Sequence, residues 1–164
     1  MKKIIIVRHA KSDWETGLTD FVRPLNKRGE NDAPKMAEKW KEMNIKPDYV
    51  LCSLANRTSQ TAELLLRDIF DLDKIDYRQA IYDATSDELL NLINNEVDDK
   101  VETLVLIGHN PGVTELVEYL AEASIGWLPT CASVCLTAMV DSWEMVGKNT
   151  FSKDWYIYPK MFED

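Results

Sequence analysis

Apolar residues follow two alternating patterns along the chain: short continuous runs, and longer stretches in which they recur every three or four positions. Ile4–Val7 is the first continuous run, and runs of this length between polar segments are typical of buried strands. Strands are therefore expected at about residues 3–8, 49–52, 75–78, 103–107, 134–140 and 155–158.

Helices are predicted between most of these strands, because apolar residues at helical spacing follow residues that favour helix starts. Thr85 and Glu88 have the spacing of a capping box. The first predicted helix has Asp32 as its cap and Pro34 in its first turn, and the second covers about residues 57–70. The third runs from Thr85 toward Glu96, and the fourth has Asn110 as its cap and Pro111 as its first residue.

This alternation predicts an α/β fold, a three-layer α/β/α arrangement with a mostly parallel central sheet. The last two strands have no helix between them, so we expect them to lie antiparallel at one edge. A length of 164 residues fits one domain. No repeat or linker marks a boundary, and a single domain over residues 1–164 is expected.

The two histidines of the chain each follow a predicted strand. His9 comes directly after Arg8 at the end of the first strand, and His109 lies in the segment 108–112 after the fourth. Open α/β sheets bind ligands at the carboxyl ends of their strands, and imidazole can act as a nucleophile, a general base or a metal ligand. We therefore expect both in one active site, with a structural histidine as the alternative for each.

Arg8 and Arg57 point to an anionic substrate. Guanidinium is a permanent, fork-shaped donor to phosphate or carboxylate. Arg57 falls in the first turn of a predicted helix, where free N–H groups and the helix dipole attract anions. The two arginines can meet on one phosphoryl group, although an exposed surface arginine is the simpler explanation of Arg57 alone. Two cations beside His9 argue against a divalent metal there.

The net charge of the chain excludes further classes of binding partner. The chain has 28 acidic and 19 basic residues, a net charge of −9, which argues against nucleic acid and against an anionic membrane surface, because both favour a basic face. No apolar run reaches the roughly 18 residues of a membrane span, and the run before Arg8 is too short for a signal peptide. A cytoplasmic location is expected, and the sequence leaves the oligomeric state open.

The remaining motifs exclude several chemistries. Cys52, Cys131 and Cys135 form an odd set without metal-ligand spacing, so buried reduced thiols are favoured over a metal held by Cys131 and Cys135. No GxxxxGK(S/T), GxGxxG, GxSxG or HExxH motif is present. P-loop nucleotide hydrolysis, a dinucleotide cofactor and a serine-hydrolase elbow are therefore unsupported.

Several spaced segments together resemble the histidine phosphatase superfamily, which has the phosphoglycerate-mutase-like fold. Arg8-His9-Ala10 and the distant Gly108-His109 carry this resemblance. Similarity to the compact SixA-type phosphohistidine phosphatases extends from the first strand to residues 158–160. It rests on Arg8–Ser12, Arg23–Leu25 with Arg28-Gly29, Ser53–Thr61 and Gly108–Gly112.

The resemblance implies a role for each site residue. His9 would attack phosphorus and become the phosphohistidine intermediate, while Arg8, Arg57 and His109 would surround the phosphoryl oxygens. A second, hydrolytic step would restore the enzyme, and no metal or organic cofactor is implied. Arg23 is expected either at the rim of the phosphate pocket or in a salt bridge that holds its loop.

Two features depart from the family pattern. Many members have Gly and then Glu or Gln after the first histidine, where this chain has Ala10 and Lys11. The family's proton donor to the leaving group lies after the third strand, and Asp83 is the nearest match there. A solvated turn aspartate is the alternative explanation of Asp83, and Asp13 and Glu15 are the other candidates for the acid.

These observations predict a metal-independent phosphatase that acts through phospho-His9. Its substrate is expected to be a phosphorylated protein, including phosphohistidine, or a small phosphomonoester. A non-catalytic phosphate-binding module of the same fold is the alternative. A mutase is less suited, because the chain has no obvious lid, and the lack of clustered carboxylates opposes a metal-dependent hydrolase.

The tryptophans are expected mostly to anchor the core. They are Trp14, Trp40, Trp127, Trp143 and Trp155. Trp14, on the loop after His9, can also line the mouth of the pocket, although packing is the favoured role.

Overall fold

A computed structural model describes residues 1–163, and its strands and helices alternate as predicted. The strands are β1 (Lys2–Arg8), β2 (Tyr49–Ser53), β3 (Asp76–Arg78), β4 (Thr103–Gly108), β5 (Ser133–Ala138) and β6 (Ser152–Ile157). The helices are α1 (Lys27–Glu42), α2 (Asn56–Leu66), α3 (Ser86–Glu96) and α4 (Gly112–Ala121).

The strands form one sheet in the order β3-β2-β4-β1-β5-β6. The four strands β1, β2, β3 and β4 are mutually parallel, whereas β5 lies antiparallel to β1 and β6 antiparallel to β5. This confirms the prediction of a mostly parallel sheet with an antiparallel edge. β1 lies inside the sheet with Ile4–Val7 completely buried, which accounts for its continuous apolar sequence.

Helices cover both faces of the sheet. Ile4 and Ile6 pack in a core with α3 and α4, while Ile5 and Val7 pack in a second core with α1 and α2. Successive side chains of β1 therefore serve opposite faces, as strand geometry requires. The predicted three-layer α/β/α arrangement is confirmed.

The predicted start of α1 is wrong. The helix begins at Lys27, and Asn26 caps it. Asp32 is a buried carboxylate inside the helix that accepts two hydrogen bonds from Arg28 Nε, at 3.0 and 3.2 Å, and Pro34 also lies within α1. Asn and Asp are equally good caps, so local preference alone does not choose between the two positions.

A tertiary contact makes the choice. The backbone N–H of Asn26 donates to the carbonyl oxygen of Lys11 at 3.0 Å. A Cβ on Gly29 would lie 2.1 Å from that same oxygen, so only glycine allows this approach. The first turn of α1 thereby holds the loop that follows β1.

The start of α4 also differs from the prediction. Asn110 does not cap the helix, because its side-chain oxygen accepts from Thr114 Oγ1 at 2.5 Å, and the helix begins at Gly112, after Pro111. A Cβ on Gly112 would lie 2.3 Å from the carbonyl oxygen of Ala84. Glycine therefore allows α4 to contact the loop between β3 and α3.

Smaller predictions had mixed outcomes. The capping box of Thr85 and Glu88 is present, whereas α2 ends at Leu66 rather than near residue 70 and β6 begins at Ser152 rather than 155. Within residues 1–163, no helix has both the length and the apolar character that a membrane crossing requires.

Candidate active site

The carboxyl ends of β1 and β4 bring the two histidines together. These strands are parallel neighbours with Arg8 opposite Gly108, so the following residues, His9 and His109, lie side by side. Their ring centroids are 5.3 Å apart. Both side chains are buried, and they lie at the carboxyl ends of the strands, where the sequence predicts the site.

Hydrogen bonds define the tautomer of His9. Nδ1 lies 2.7 Å from the carbonyl oxygen of Ala10, and because that oxygen only accepts, Nδ1 carries the proton. Nε2 then holds a lone pair, which accepts a long hydrogen bond from Arg57 Nε at 3.4 Å. His9 therefore presents an unprotonated nitrogen to the cleft.

The surroundings of His9 keep its imidazole neutral. Burial lowers the pKa of His9 well below its usual value, and the neighbouring His109, Arg57 and Arg8 lower it further, against an opposing effect of the Ala10 carbonyl. A neutral imidazole with a free lone pair is the form that can act as a nucleophile.

His109 has the opposite arrangement. Its Nε2 is 2.7 Å from Ser53 Oγ, and Nδ1 is buried with no hydrogen-bond partner among residues 1–163. The backbone N–H of Ala55 also donates to Ser53 Oγ, at 3.2 Å. Burial, followed by the charge of Arg57, lowers the pKa of His109 to about 3.

Three guanidinium groups line the same cleft. Arg8 donates from one terminal nitrogen to the carbonyl oxygen of Leu128 at 2.9 Å. Arg23 donates to Ser12 Oγ, and its Nε, like that of Arg8, is buried without a partner in the described chain. Together with Arg57 they offer donors for an anion next to His9 Nε2.

The cleft has a volume of about 290 Å³. Besides the three arginines, Lys11 contributes a positive charge, while Asp20 and Asp83 are its only carboxylates within residues 1–163. The site is thus cationic in a chain whose net charge is −9, and such a cleft concentrates the field on an anionic ligand.

Comparison with known proteins establishes the family. The model of the histidine phosphatase superfamily (branch 1) matches residues 4–80. An uncharacterized chloroplastic protein of Arabidopsis thaliana is 32% identical over 152 residues, which cover 87% of this chain and 69% of the relative. The chain belongs to the histidine phosphatase superfamily.

Solved structures refine this assignment. The structure of the protein histidine phosphatase SixA with tungstate shares the fold, with a TM-score of 0.84 at 20% identity over 98% of this chain and 99% of that one. SixA from Agrobacterium tumefaciens is 27% identical, with a TM-score of 0.79 over 96% and 99% of the two chains. Within the histidine phosphatase superfamily the protein is of the SixA type, and it is a phosphatase.

Among the three candidates for the acid of this histidine phosphatase, only Asp83 lines the cleft. It follows Tyr82 in the loop between β3 and α3 and is exposed, with a φ of 58°. Asp13 Oδ1 instead accepts the backbone N–H of Glu15 at 2.9 Å in the loop after β1. Of the three candidates, the structure therefore brings only Asp83 to the cleft.

Sequence reasoning missed Asp20. Its carboxylate accepts from Arg23 at 2.8 Å and from Arg57 at 3.2 Å, and Tyr82 also donates to it. The Tyr82 hydrogen bond and those of the two arginines hold the pKa of Asp20 well below its usual range, against the effect of burial. Arg23 thus lines the cleft and also forms a salt bridge within its loop, which are the two placements that the sequence left open.

Tyr82 was also missed as a site residue. Its ring meets the His109 ring edge-on, with centroids 5.5 Å apart, and meets Phe21 edge-on at 5.0 Å. The spacing of Asp20 three residues before Arg23 was the one sequence signal for this cluster. No sequence pattern links Asp20 or Arg23 to Tyr82, which lies 62 positions from Asp20.

The tryptophans divide differently from the expectation. Trp40 and Trp143 are fully buried, but Trp14 and Trp127 are 75% and 58% exposed, and both line the cleft. The Arg23 guanidinium lies 3.5 Å from the centre of the Trp14 ring, a cation–π contact. The core role favoured for Trp14 and Trp127 is wrong, and both flank the site.

Metal-ligating groups are not clustered in the described part of the chain. No set of three or more His, Cys, Asp or Glu side chains in residues 1–163 is placed to hold a metal ion. Cys52, Cys131 and Cys135 are buried free thiols, in agreement with the expectation, and burial raises the pKa of Cys135 to about 12.

Proposed function

We propose that this phosphatase acts in two steps through a phosphohistidine on His9. The observation that carries the proposal is the orientation of that imidazole. Its proton is held on Nδ1 by the Ala10 carbonyl at 2.7 Å, so the Nε2 lone pair is directed at a cleft lined by three arginines.

In the first step, the His9 Nε2 lone pair attacks the phosphorus atom. A bond forms between Nε2 and phosphorus as the bond to the leaving group breaks, and the leaving group departs with its electron pair. Arg8, Arg23 and Arg57 donate to the phosphoryl oxygens, and His109 Nδ1–H adds a further donor. Fixed donors of this kind stabilise the charge of the transition state.

In the second step, water attacks phosphorus from the side opposite His9, and the proton that it loses goes to Asp83, whose carboxylate the first step left ionised. The bond between Nε2 and phosphorus breaks, inorganic phosphate leaves, and His9 returns to its neutral form.

Asp83 is proposed as the proton donor to the leaving group. It lines the cleft and is exposed, and it directly follows Tyr82, whose ring contacts His109. An alkoxide needs this proton far more than an activated aryl oxide does.

Phosphohistidine proteins and small phosphomonoesters are the proposed substrates. The cleft is flanked by exposed aromatic side chains, Trp14 and Trp127, which suit contact with a second protein surface. The structure of SixA that shares this fold is that of a protein histidine phosphatase, which supports phosphohistidine as the substrate group.

The test is phosphate release without added metal from a phosphohistidine-bearing protein and from 4-nitrophenyl phosphate. Release from either that is lost in His9→Ala, with an unchanged circular dichroism spectrum, supports the phosphatase mechanism. The substrate with the higher kcat/KM then decides between the two substrate classes. Binding of vanadate with no release from either substrate would instead favour a phosphate-binding module.

A further inference from the structure

A second cavity, of about 370 Å³, lies directly beside the catalytic cleft. We call it the adjacent pocket. Its wall is formed by the loop after β1, by Arg28 and Asp32 of α1, and by residues 158–160 near the carboxyl end. Arg8, Lys11 and Thr130 line both this pocket and the cleft, so the two spaces are neighbours with a shared wall.

The adjacent pocket carries excess positive charge. Arg8, Lys11, Arg28 and Lys160 line it, and Asp32 is its single carboxylate within the described residues. The Asp32 carboxylate is already paired with Arg28. Neither Lys11 nor Lys160 has an ion-pair partner within 4.0 Å in residues 1–163.

This charge contrasts with the rest of the molecule. The chain as a whole has a net charge of −9, so unpaired lysines grouped in one concave space are not explained by general solubility. Charges of one sign in a cavity with a low-dielectric wall raise the local concentration of the opposite ion. A carboxylate or a phosphate is the kind of ligand that such a space attracts.

The wall that carries Lys160 is anchored. Residues 159–162 form a short 3-10 helix, and Arg28 of α1 pairs with Glu163 just after it. The Lys39 ammonium lies 4.6 Å from the centre of the Phe162 ring. These contacts dock the segment on α1, so the backbone of this wall is in place before any ligand arrives, and the exposed Lys11 and Lys160 side chains are what binding must order.

We infer that the adjacent pocket binds a second anionic group of the substrate, a carboxylate or a phosphate, while the phosphoryl group to be transferred lies against His9. Arg8 borders both groups, and Lys11 and Lys160 hold the second one. This inference rests on the proposed function, since it takes the His9 cleft as the place of phosphoryl transfer. It restricts the substrate class to compounds or protein segments that carry a further negative charge close to the phosphoryl group.

Binding is measured first, because it does not depend on turnover. The two probes are 3-carboxybenzylphosphonate and its neutral partner, 3-carbamoylbenzylphosphonate, with affinities determined by titration calorimetry. Charge-assisted hydrogen bonds are about twice as strong as neutral ones, and we expect the carboxylate to bind about 10-fold more tightly, a difference of about 1.4 kcal/mol.

Lys160→Gln is the diagnostic variant, because Lys160 lines only the adjacent pocket. The advantage of the carboxylate is expected to fall below about twofold, with the affinity of the neutral probe unchanged. Lys148→Gln is the matched control. Lys148 is an exposed lysine between β5 and β6, at the opposite edge of the sheet, and its loss should leave the advantage intact.

Turnover then distinguishes the source of the second anion. 3-Carboxyphenyl phosphate is compared with 3-carbamoylphenyl phosphate, and phosphohistidine peptides with a neighbouring Glu are compared with peptides carrying Gln there. A Lys160-dependent preference in the first pair indicates a small substrate, and one in the second pair indicates an acidic protein segment.

Equal affinity of the wild type for both phosphonates would overturn the inference, as would a preference that survives Lys160→Gln. An equal loss for charged and neutral probes would also overturn it, since that result indicates a structural role for Lys160. Absence of turnover with an intact phosphonate preference would overturn the proposed function alone.

Discussion

His9 and His109 occupy matching positions at the ends of neighbouring parallel strands, yet their surroundings prepare them for different tasks. The backbone holds His9 through Nδ1 and leaves Nε2 facing the cleft. Ser53 holds His109 through Nε2, and Nδ1 remains without a partner among the described residues. The two strand ends thus place the rings side by side, and hydrogen bonds engage a different nitrogen in each ring.

Replacing each histidine tests this difference most strongly. His9→Ala is expected to lower kcat by about 10⁴-fold or more, because the nucleophile is lost. His109→Ala should cost about 10²- to 10³-fold, the usual loss for one donor to the transition state. Acid-labile radioactive phosphate on the quenched enzyme is the measurement, and it should be detectable in His109→Ala and absent in His9→Ala. Labelled His9→Ala would contradict the assignment of the nucleophile.

Asp83 is the proposed acid and lines the cleft that holds both histidines. Asp83→Asn should slow an alkyl phosphate by about 10²-fold and 4-nitrophenyl phosphate by less than about threefold, because only the poor leaving group needs the proton. The matched control is Asp87→Asn, an exposed aspartate in the first turn of α3. Equal losses on both substrates would move the acid elsewhere.

Removing the hydroxyl that orients His109 should have a smaller effect. Ser53→Ala leaves His109 Nε2 buried without its partner, and we expect kcat to fall about 10-fold, with about 1–3 kcal/mol lost from the free energy of unfolding. Nitrogen NMR of the two imidazoles provides the specific readout, because only the His109 signals should change.

Ser59→Ala serves as its control. Ser59 lies on α2 and donates to the carbonyl oxygen of Asn56 at 3.0 Å, so its removal touches neither histidine. If Ser53→Ala lowers stability but leaves kcat and the His109 signals as they are, Ser53 has a structural role only.

The smallest effect is expected from pH. Because the pKa values of His9 and His109 are both lowered, His9 stays neutral as pH falls from 8 to 6. The kcat/KM for an aryl phosphate, corrected for substrate ionisation, should therefore change by less than about twofold over this range. A decline centred near the unperturbed value of about 6.5 would show that His9 titrates normally.

Protein stability should respond at lower pH. Below about 6.5 the unfolded chain binds protons that neutral, folded His109 does not, so the free energy of unfolding falls as pH falls toward the folded pKa of about 3. Urea denaturation at pH 7 and pH 5 measures this. His109→Gln should reduce the difference in the free energy of unfolding between pH 7 and pH 5. This result distinguishes the effect of His109 from that of carboxylates such as Asp20, whose protonation in acid also destabilises the protein.

Local sequence patterns were sufficient to predict where the site residues at the strand ends lie. Arg8 and His9 adjoin β1 and His109 adjoins β4, so the periodicity that predicts the strands also places these side chains at one edge of the sheet. Asp20 and Tyr82 were missed because they lie in irregular loops and meet only after the chain has folded. Trp127 was misplaced for a related reason, since an aromatic residue in a loop carries no periodicity that separates rim from core.

Local sequence patterns are enough to predict the layered α/β fold, the succession of strands and helices along the chain, and the strand ends at which histidines and arginines gather, because side-chain periodicity and strand ends are local properties. The packing of distant segments fixes which nitrogen of each histidine has a hydrogen-bond partner, pairs Asp20 with Arg57, and brings Lys11 and Lys160 to one pocket. These features depend on contacts between residues far apart in the chain. Such contacts are set by packing, which local hydrophobic pattern does not encode.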